Sequence, residues 1–480
     1  MVTTLITIYI AALVGLGLFG FLGYITLFFY WKHRNEIPVR PDMPASIINW
    51  PKVTVQLPIF NEKYVVKRLI NSVVRLDYPQ DKLEIQVVDD STDDTARIAA
   101  DLVSDYRSVG YDIHHIHRTN REGYKAGALG HATTRASGEY VAIFDADFQP
   151  PPNFLTETVP FLASNTNLGM VQTRWGHLND RLSPLTAAQA MAMDKHFVIE
   201  QTVRHRADFY PKFNGTAGIW RKQCIDEVGG WQAETVCEDL CLSTRAILKG
   251  WDFTFLPDVV TPGELPTSFS AYKNQQARWA KGSFQCLLKY GWDILSDSEH
   301  SLVGRLYALI TMSAYLAHPF LLTIILLQIP LILLGYPLSP KLFAFSLLGL
   351  GQPILFVISQ QLVYPDWRKR LLHFPTMMMV SFGLGPTITR SLLEILYKQS
   401  HQFIRTPKGE SLKREKHSLS RAFTGYRLPF DLINLVDFGL CLYCISGLVL
   451  AVSNSISGPL FLLTFGAVGF GFATYLNLTD

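Results

Sequence analysis

Charged side chains are scarce in this sequence. Only 17% of its 480 residues are Asp, Glu, Lys or Arg, against about 25% in ordinary globular domains. This scarcity, together with 48% hydrophobic residues, excludes a disordered chain, a collagen and a coiled coil. The 43 basic and 40 acidic residues nearly balance, at a net charge of +3, so we expect no nucleic-acid partner.

Cysteine is also scarce. Six cysteines in a chain of 480 residues do not make a disulfide scaffold. The composition therefore leaves one broad class, a membrane protein with a large soluble part and the lipid bilayer as a partner.

Apolar runs long enough to cross a bilayer occur at both ends of the chain. Residues 5–31 exceed the roughly 20 residues that a spanning helix needs, and the absence of a preceding basic residue argues against a cleavable signal. Lys32, His33 and Arg34 follow this run, so the positive-inside bias places the N-terminus outside and the next segment in the cytoplasm. Four more spans are predicted, at residues 306–336, 342–363, 428–452 and 456–475. The first of these is expected to bend at its prolines.

The stretch 374–397 is ambiguous, since it begins apolar but contains Arg390 and Glu394. If it crossed the membrane, the seven Lys or Arg residues of 398–421 would lie outside, against the positive-inside bias. We therefore predict an amphipathic helix at the cytoplasmic interface. The expected organisation is an N-terminal span within 1–36, a cytoplasmic domain at 37–300 and a C-terminal membrane region at 301–480.

Short apolar strands alternate with helices in the soluble part. Strands are predicted at 53–58, 83–90 and 140–147, a pattern typical of an α/β domain whose mainly parallel sheet is covered on both faces. In such sheets the ligand lies beyond the carboxyl ends of the strands. Four aspartates fall at those ends: Asp89, Asp90, Asp145 and Asp147.

These aspartates form two acidic motifs. In Asp145-Ala146-Asp147 both carboxylates can reach one hard divalent cation, Mg²⁺ or Mn²⁺, which would neutralise a nucleoside diphosphate; alternatively the motif is only an acidic turn. Asp89 and Asp90 can accept hydrogen bonds from a nucleobase, whereas the acidic residues that follow them alternatively only cap the next helix.

Three further segments complete the candidate site. Lys125 lies among small residues near a helix start, where it can meet a phosphate, or it is an ordinary solvated lysine. Asp239 follows Glu238 at another helix start and can act as general base on an acceptor hydroxyl, or the acidic pair only interacts with the helix dipole. The Q-Q-x-R-W motif at 275–279 offers a guanidinium for a diphosphate and an indole for a sugar ring, although Trp and Arg also favour a membrane surface.

The order of these motifs resembles that of the processive family 2 glycosyltransferases, which include cellulose synthase, hyaluronan synthase and the plant cellulose synthase-like proteins. The longer strings are PIFNE at 58–62, VVDDSTD at 87–93, GYKAGAL at 123–129, IFDADFQP at 143–150 and FNGTAGIW at 213–220. They are most similar to the cellulose synthase-like A and C proteins, which make mannan or glucan backbones. The resemblance implies a GT-A (Rossmann-like) α/β domain on an α-helical transmembrane region.

The resemblance also implies a role for each matching residue. Asp239, beside Glu238, becomes the catalytic base, and Asp145 and Asp147 bind the metal. The implied nucleotide-binding residues are Asp89, Asp90, Lys125, Asp145 and Arg278. The implied acceptor-binding residues are Trp279, Gln275, Gln276, Asn214, Gly215 and Thr216. The segment 403–409 resembles the gating loop of the family, with Phe403, Thr406 and Lys408 in it.

Two positions depart from the family pattern. Cys237 replaces a threonine before the acidic pair, and Arg405 stands in the gating loop where an apolar residue is usual. The acidic positions remain, so we expect an inverting, processive β-glycosyltransferase that uses GDP-mannose or UDP-glucose with Mg²⁺ or Mn²⁺. Its product would be a β-1,4-linked mannan, glucan or glucomannan, extended on a growing polysaccharide acceptor and translocated across the membrane.

The alternatives are a transferase that adds one sugar to diacylglycerol, one that uses a lipid-carrier-linked sugar, and a scaffold with an inactive domain. His114, His115 and His117 suggest a metal, but their strand-like segment offers no partner in sequence, and we expect no metal there.

Overall fold

The central sheet of the soluble part contains seven strands. The computed structural model describes residues 2–41, 50–335, 347–397 and 432–480. In these residues the strands are β1 Val53–Ile59, β2 Leu83–Asp89, β3 Asp112–His117, β4 Tyr140–Ile143, β5 Leu168–His177, β6 Gly218–Arg221 and β7 Asp252–Gly263. Their order across the sheet is β3-β2-β1-β4-β6-β5-β7.

The expected parallel arrangement is confirmed for most of the sheet. β1 pairs in parallel with β2 and β4, β2 with β3, and β5 with β7. β6 is antiparallel to both of its neighbours. The fold is therefore the expected α/β class with a mixed sheet, and the carboxyl ends of β1, β2 and β4 lie along one edge.

Both faces of the sheet are buried, as the apolar strands predicted. Along β4 alternate residues enter different cores: Tyr140 and Ala142 pack with the β1 side chains Val53 and Val55, whereas Val141 packs with residues of the opposite face. Successive strand side chains point to opposite faces, so this alternation places helices on both sides.

The strand predicted over 140–147 is shorter in the structure. β4 ends at Ile143, and the amide of Phe148 donates to the carbonyl of Asp145 at 3.0 Å, which closes a turn. Asp145 and Asp147 therefore lie in the loop after the strand, and the amide of Asp145 donates to the Thr216 side chain rather than to a neighbouring strand.

The helices of the soluble part surround the sheet and lead to the membrane region. They are α2 Val66–Val73, α3 Thr95–Ser108, α4 Tyr124–Thr133, α5 Phe154–Ser164, α6 Pro184–Asp194, α7 Gln201–Arg206, α8 Lys222–Glu227, α9 Glu238–Leu248 and α10 Phe269–Ser296. A π-helical segment, Lys195–Glu200, joins α6 to α7.

The remaining helices are predominantly apolar, except for the short basic helix Trp367–Arg370. They are α1 Val2–His33, α11 Leu302–Met312, α12 Ala317–Leu326, α13 Gln328–Leu333, α14 Gly351–Val363, α15 Trp367–Arg370, α16 Phe374–Leu396, α17 Ile433–Ser453 and α18 Leu460–Thr479. The predicted bend near Pro330 is present as a break between α12 and α13. Pro330 has no amide proton for the carbonyl of Leu326, and the Tyr443 hydroxyl donates to that carbonyl instead.

Five helices of the described residues are long and apolar enough to cross a membrane, which agrees with the predicted number: Val2–His33, Ala314–Leu333, Trp367–Leu396, Ile433–Ser453 and Leu460–Thr479. Their membership differs from the prediction, because Trp367–Leu396 contains the segment assigned to the interface, and Leu347–Val363 is a shorter apolar helix. α16 is half buried, and it packs on α10, α12 and α18. Its interfacial position stays a prediction.

Candidate active site

A cavity of about 460 Å³ lies at the carboxyl edge of the sheet, between the starts of α4 and α9 and one side of α10. Most of the residues implicated by sequence line it together, although they are spread over nearly 200 positions of the chain. They are Asp90, Lys125, Asp145, Asp147, Asn214, Gly215, Glu238, Asp239, Gln275, Arg278 and Trp279. This convergence of titratable groups in one cavity is typical of an active site.

Lys125 connects the two acidic parts of the cavity. Its Nζ lies 2.6 Å from Asp145 Oδ1 and 3.8 Å from Glu238 Oε1, and it donates to the Gly215 carbonyl at 2.8 Å. Burial opposes the charge of this ammonium, but Asp145, Glu238 and Asp239 together raise its pKa. Lys125 is therefore a fixed positive charge among carboxylates rather than a solvated side chain.

The acidic loop after β4 is held from two sides. The amide of Asp145 donates to Thr216 Oγ1 at 2.8 Å, and the carbonyl of Asp147 accepts from the amide of Glu264 at 3.3 Å. Asp147 is buried, and both aspartates line the cavity beside Glu264. These oxygen donors fit a hard divalent cation such as Mg²⁺ or Mn²⁺, which prefers carboxylates and retains positions for phosphate.

Glu238 and Asp239 begin α9, where the positive end of the helix dipole favours acidic side chains. Burial and the charge of Asp239 raise the pKa of Glu238 to about 7, while Lys125 opposes the rise. Burial likewise raises the pKa of Asp239, against the opposing effects of Lys125 and Lys212. A carboxylate with a raised pKa is a stronger base, so this pair suits proton abstraction from a hydroxyl.

Gly215 allows the segment 213–216 to approach this acidic pair. Its φ is +84°, and a β-carbon at this position would meet Asp239 Oδ2 at 3.0 Å. The Ser243 hydroxyl accepts from the amide of Phe213 at 2.9 Å and donates to the carbonyl of Asp239 at 2.7 Å. One serine therefore fixes this segment on α9.

On α10, three of the four named Q-Q-x-R-W side chains face the cavity. Gln275, Arg278 and Trp279 are three and four residues apart, which places them on one side of a helix. Gln276 does not line the cavity, and its Oε1 accepts from the Tyr315 hydroxyl at 3.3 Å. Lys281, which sequence reasoning missed, also lines the cavity and forms an ion pair with Glu394 of α16 at 3.2 Å.

The other end of the cavity contains a second group of residues missed from sequence. Asp90 is held by Arg118, whose Nε and Nη2 donate to its two carboxylate oxygens at 2.7 and 2.6 Å. Arg121 stacks on Phe60, with the guanidinium carbon 3.3 Å from the ring centroid. Phe60 and Arg121 line the cavity with Asp90, and these flat and charged surfaces suit a nucleobase. The only signal in the sequence was that Phe60 lies inside the PIFNE string and Arg121 just before GYKAGAL.

Two further predicted contact residues, Thr216 and Asp89, are placed differently. Thr216 is fully buried and positions Asp145 without lining the cavity. Asp89 is fully buried and directed toward β3, where His115 Nε2 lies 2.9 Å and His117 Nδ1 3.3 Å from its Oδ2. The histidines therefore have the partner that the sequence did not reveal. Asn214 remains in the cavity, and His196 of the π-helical segment contacts its Oδ1 at 2.9 Å.

The predicted gating-loop residues Phe403, Thr406 and Lys408 lie outside the described residues. The segment 398–421 is therefore a sequence prediction alone, and the candidate site consists of the cavity between the sheet edge and α10.

Comparison with known proteins assigns this arrangement to a family. Residues 51–282 match the family model described as "Glycosyltransferase like family 2". These residues are a family 2 glycosyltransferase domain. The resemblance indicated by the motifs is thus confirmed, and the matched residues include every described residue that the motifs implicated in the candidate site.

Curated relatives of this glycosyltransferase domain come from plants. The chain is 41% identical over 283 residues to "Probable glucomannan 4-beta-mannosyltransferase 7" of Oryza sativa subsp. japonica, covering 58% of this chain and 48% of the relative. It is 40% identical over 288 residues to "Glucomannan 4-beta-mannosyltransferase 2" of Arabidopsis thaliana, covering 58% and 54%. The chain therefore spans about half the length of the curated relatives it matches.

A solved structure supports the GT-A fold. The mannosyltransferase PcManGT from Pyrobaculum calidifontis, in complex with GDP-Man and Mn²⁺, matches with a TM-score of 0.53 and 21% identity. The match covers 82% of this chain and 100% of that one. With the five long apolar helices, the glycosyltransferase domain belongs to a membrane protein.

Proposed function

We propose that this chain is an inverting, processive β-glycosyltransferase that builds a β-1,4-linked polysaccharide of the mannan or glucomannan class from GDP-mannose. The observation that carries the proposal is the position of the Glu238–Asp239 pair, which meets the Asp145 loop across Lys125 inside one cavity. General base, cation ligands and leaving-group contacts are the parts that glycosyl transfer from a nucleotide sugar needs. Mannose is favoured over glucose because the plant relatives are named for 4-β-mannosyl transfer.

The reaction follows from the geometry of the acidic pair. Asp239 accepts the proton of an acceptor hydroxyl, and the oxygen attacks the anomeric carbon of the donor sugar. The bond from that carbon to the diphosphate oxygen breaks on the opposite face, and its electron pair leaves with the nucleoside diphosphate. One displacement converts an α-linked donor into a β-linked product.

The leaving diphosphate needs positive charge. Arg278 and Lys125 supply two cationic side chains in the cavity, and such fixed charges are most effective where water is excluded. Asp145 and Asp147 are the residues that would hold Mg²⁺ or Mn²⁺, which when bound neutralises the diphosphate.

The acceptor enters from the side of α10. Trp279 lines the cavity with Gln275 on this helix, and α10 packs on the apolar helices α11, α16 and α18. A sugar stacked on the indole would thus lie between the cavity and the membrane helices. Together with Lys32 and Arg34 after the first span, this arrangement supports a cytoplasmic catalytic domain that passes its product toward the bilayer.

The test uses the full chain purified in detergent, with Mn²⁺ or Mg²⁺ and radiolabelled GDP-mannose or UDP-glucose in separate reactions. We expect insoluble, β-mannanase-sensitive polymer from GDP-mannose, and none from Asp239→Asn although that variant still binds the nucleotide. Polymer formed only from UDP-glucose would show that the product is a glucan and not a mannan. Organic-soluble product alone would overturn polymer synthesis in favour of a glycolipid, and incorporation by Asp239→Asn would remove Asp239 as the base.

A further inference from the structure

Three side chains at the carboxyl ends of β2 and β3 lie close together. The strands are parallel, and their register pairs Val87 with His115 and Asp89 with His117. His115 and His117 are two residues apart, so both project from the same face of β3. One ligand atom from each of Asp89, His115 and His117 lies within 4.8 Å of the others, a spacing that a single bound cation can span.

Asp89 is the buried member of this cluster. Its side chain is fully buried, with His115 Nε2 at 2.9 Å and His117 Nδ1 at 3.3 Å from Oδ2, while the amide of Ser91 donates to Oδ1 at 2.8 Å. A buried carboxylate is stable when it is paired, hydrogen-bonded or bound to a metal ion. A cation held by Oδ2 and the two imidazoles would meet that need.

The cluster is also accessible from outside. His117 is more than a third exposed and lines an open cleft with Arg118 and His131, beside the cavity of the candidate active site. A cation can thus approach His117 from this cleft. Fixed ligands on two paired strands and an open approach are what a metal site requires.

We infer that Asp89, His115 and His117 bind a transition-metal dication of the zinc class. Two imidazoles and one carboxylate suit Zn²⁺ or Co²⁺, with a fourth position left for water. The oxygen-only pair Asp145 and Asp147 suits Mg²⁺ or Mn²⁺ instead. The protein would thus carry two sites of different ligand chemistry.

The position of this second site gives it a structural role in donor binding. In the sequence, Asp89 directly precedes Asp90, and His117 directly precedes Arg118. Asp90 and Arg118 form an ion pair, and Asp90 lines the cavity of the candidate active site. A cation shared by residues 89 and 117 would lock β2 to β3 immediately behind this pair. It would act by positioning Asp90, and no step of the transfer needs it.

The test is direct metal binding by the full-length protein in detergent. After chelation and removal of the chelator, the protein is titrated with Co²⁺, and visible absorption and metal content are measured. We expect one Co²⁺ that is displaced by Zn²⁺ and retained in the Asp145→Asn/Asp147→Asn variant. His114→Gln is the matched control, because His114 contacts Asp112 and is not part of the cluster.

His115→Gln/His117→Gln should lose this Co²⁺, and so should Asp89→Asn, while all variants keep the size-exclusion profile and circular dichroism of the native protein. Absence of a stoichiometric site in the native protein would overturn the inference and leave the histidines as hydrogen-bond partners of Asp89. Co²⁺ retained by the double histidine variant would overturn it equally. If the double variant does not fold, His117→Gln alone, at the more exposed position, decides the outcome.

Discussion

Gly215 leaves no free space for a side chain beside Asp239 in the candidate active site. The carboxylate oxygen Oδ2 lies 3.0 Å from the place that a β-carbon on residue 215 would occupy, and the backbone of Gly215 has φ +84°. The carbonyl of the same glycine accepts a hydrogen bond from Lys125 at 2.8 Å. One residue without a side chain therefore sets the separation between the proposed base and the ammonium that bridges to Asp145.

Gly215→Ala should abolish most of the activity while leaving the protein folded. The added methyl group would press on the Asp239 carboxylate, which would have to move by a few tenths of an ångström, and a shift of about 1 Å in an active site costs about 100-fold in rate. We therefore expect kcat to fall by about tenfold, with a smaller change in nucleotide affinity. Initial rates and nucleotide binding by calorimetry would measure the two effects.

Gly250→Ala is a matched control for backbone strain. Gly250 has the same φ of +84°, but a β-carbon there would meet no heavy atom within 4 Å. The substitution Gly250→Ala should therefore lower the free energy of unfolding by about 1 kcal/mol and leave kcat unchanged. Equal losses of activity in the two variants would mean that φ, and not the contact with Asp239, is responsible.

The acidic pair should give the activity an unusual pH dependence. Burial raises the pKa of Asp239, the proposed base, and burial together with the charge of Asp239 raises the pKa of its neighbour Glu238 to about 7. The pair is therefore fully ionised, and ready to accept a proton, only near neutral pH. Activity should therefore rise with pH up to about 7, well above the range of an ordinary carboxylate. Glu238→Gln removes one negative charge beside Asp239, which lowers the pKa of Asp239 and should move this rise to lower pH.

The measurement is kcat/KM as a function of pH for the native protein, Glu238→Gln and Glu234→Gln. Glu234 also lines the cavity, but its hydrogen bond with Lys289 lowers its pKa, so its variant should keep the native profile. If the pH profile of Glu238→Gln coincides with the native profile, the charge of Glu238 does not affect the titration that limits the activity.

Asp89 and Asp90 mark how far the sequence predicts the site. The β-branched runs before them predicted β2, and the position of both aspartates at its carboxyl end predicted a contact with ligand. Neighbouring residues of a strand point to opposite faces, so only one of them can face the cavity. Which one does so depends on the placement of β3 and of Arg118, and that is decided by tertiary packing.

Other parts of the site depend on residues that are distant in sequence. His196 contacts Asn214 only because the π-helical segment Lys195–Glu200 brings its side chain to the segment 213–216. Lys281 meets Glu394 more than 100 residues later. Apolar patterns and motifs predicted three strands of a mainly parallel sheet, the number of long apolar helices and eleven of the residues that line the cavity, whereas such supporting contacts carry no local signal.

Thr216 should control the affinity of the acidic loop for a divalent cation. Its hydroxyl accepts from the amide of Asp145 at 2.8 Å, and the side chain is fully buried. In Thr216→Val the shape is kept but this amide loses its acceptor, at a cost of about 1–3 kcal/mol. The loop should relax, and the Mn²⁺ concentration for half-maximal activity should rise about tenfold or more.

Thr216→Ser keeps the hydroxyl and should therefore remain close to the native Mn²⁺ dependence. Titrations of activity against Mn²⁺ at saturating GDP-mannose would compare the three proteins. If the valine variant lowers kcat but leaves the Mn²⁺ dependence unchanged, the hydroxyl does not act through the cation ligand Asp145.

Lys273 should hold α10 in register with the last two apolar helices. Its ammonium donates to Asn434 of α17 and to Asn477 of α18, and it lies 3.5 Å from Asp437; Lys273 and Asp437 are both buried. Removing one member of a buried ion pair costs about 3–5 kcal/mol, because the other charge stays buried and uncompensated. Asp437→Leu should therefore lower the thermal unfolding temperature in detergent. It should also impair the proposed transferase activity, because α10 carries Arg278 and Trp279.

The decisive comparison is with Lys273→Met/Asp437→Leu. If the ion pair itself matters, the double variant should regain much of the stability that Asp437→Leu loses, since no unpaired charge remains in the cluster. Thermal unfolding followed by intrinsic fluorescence would measure the coupling of the two sites. If the losses of stability in the two single variants simply add in the double variant, each side chain contributes through its own packing. Lys273 would then stabilise α10 only through the apolar part of its side chain.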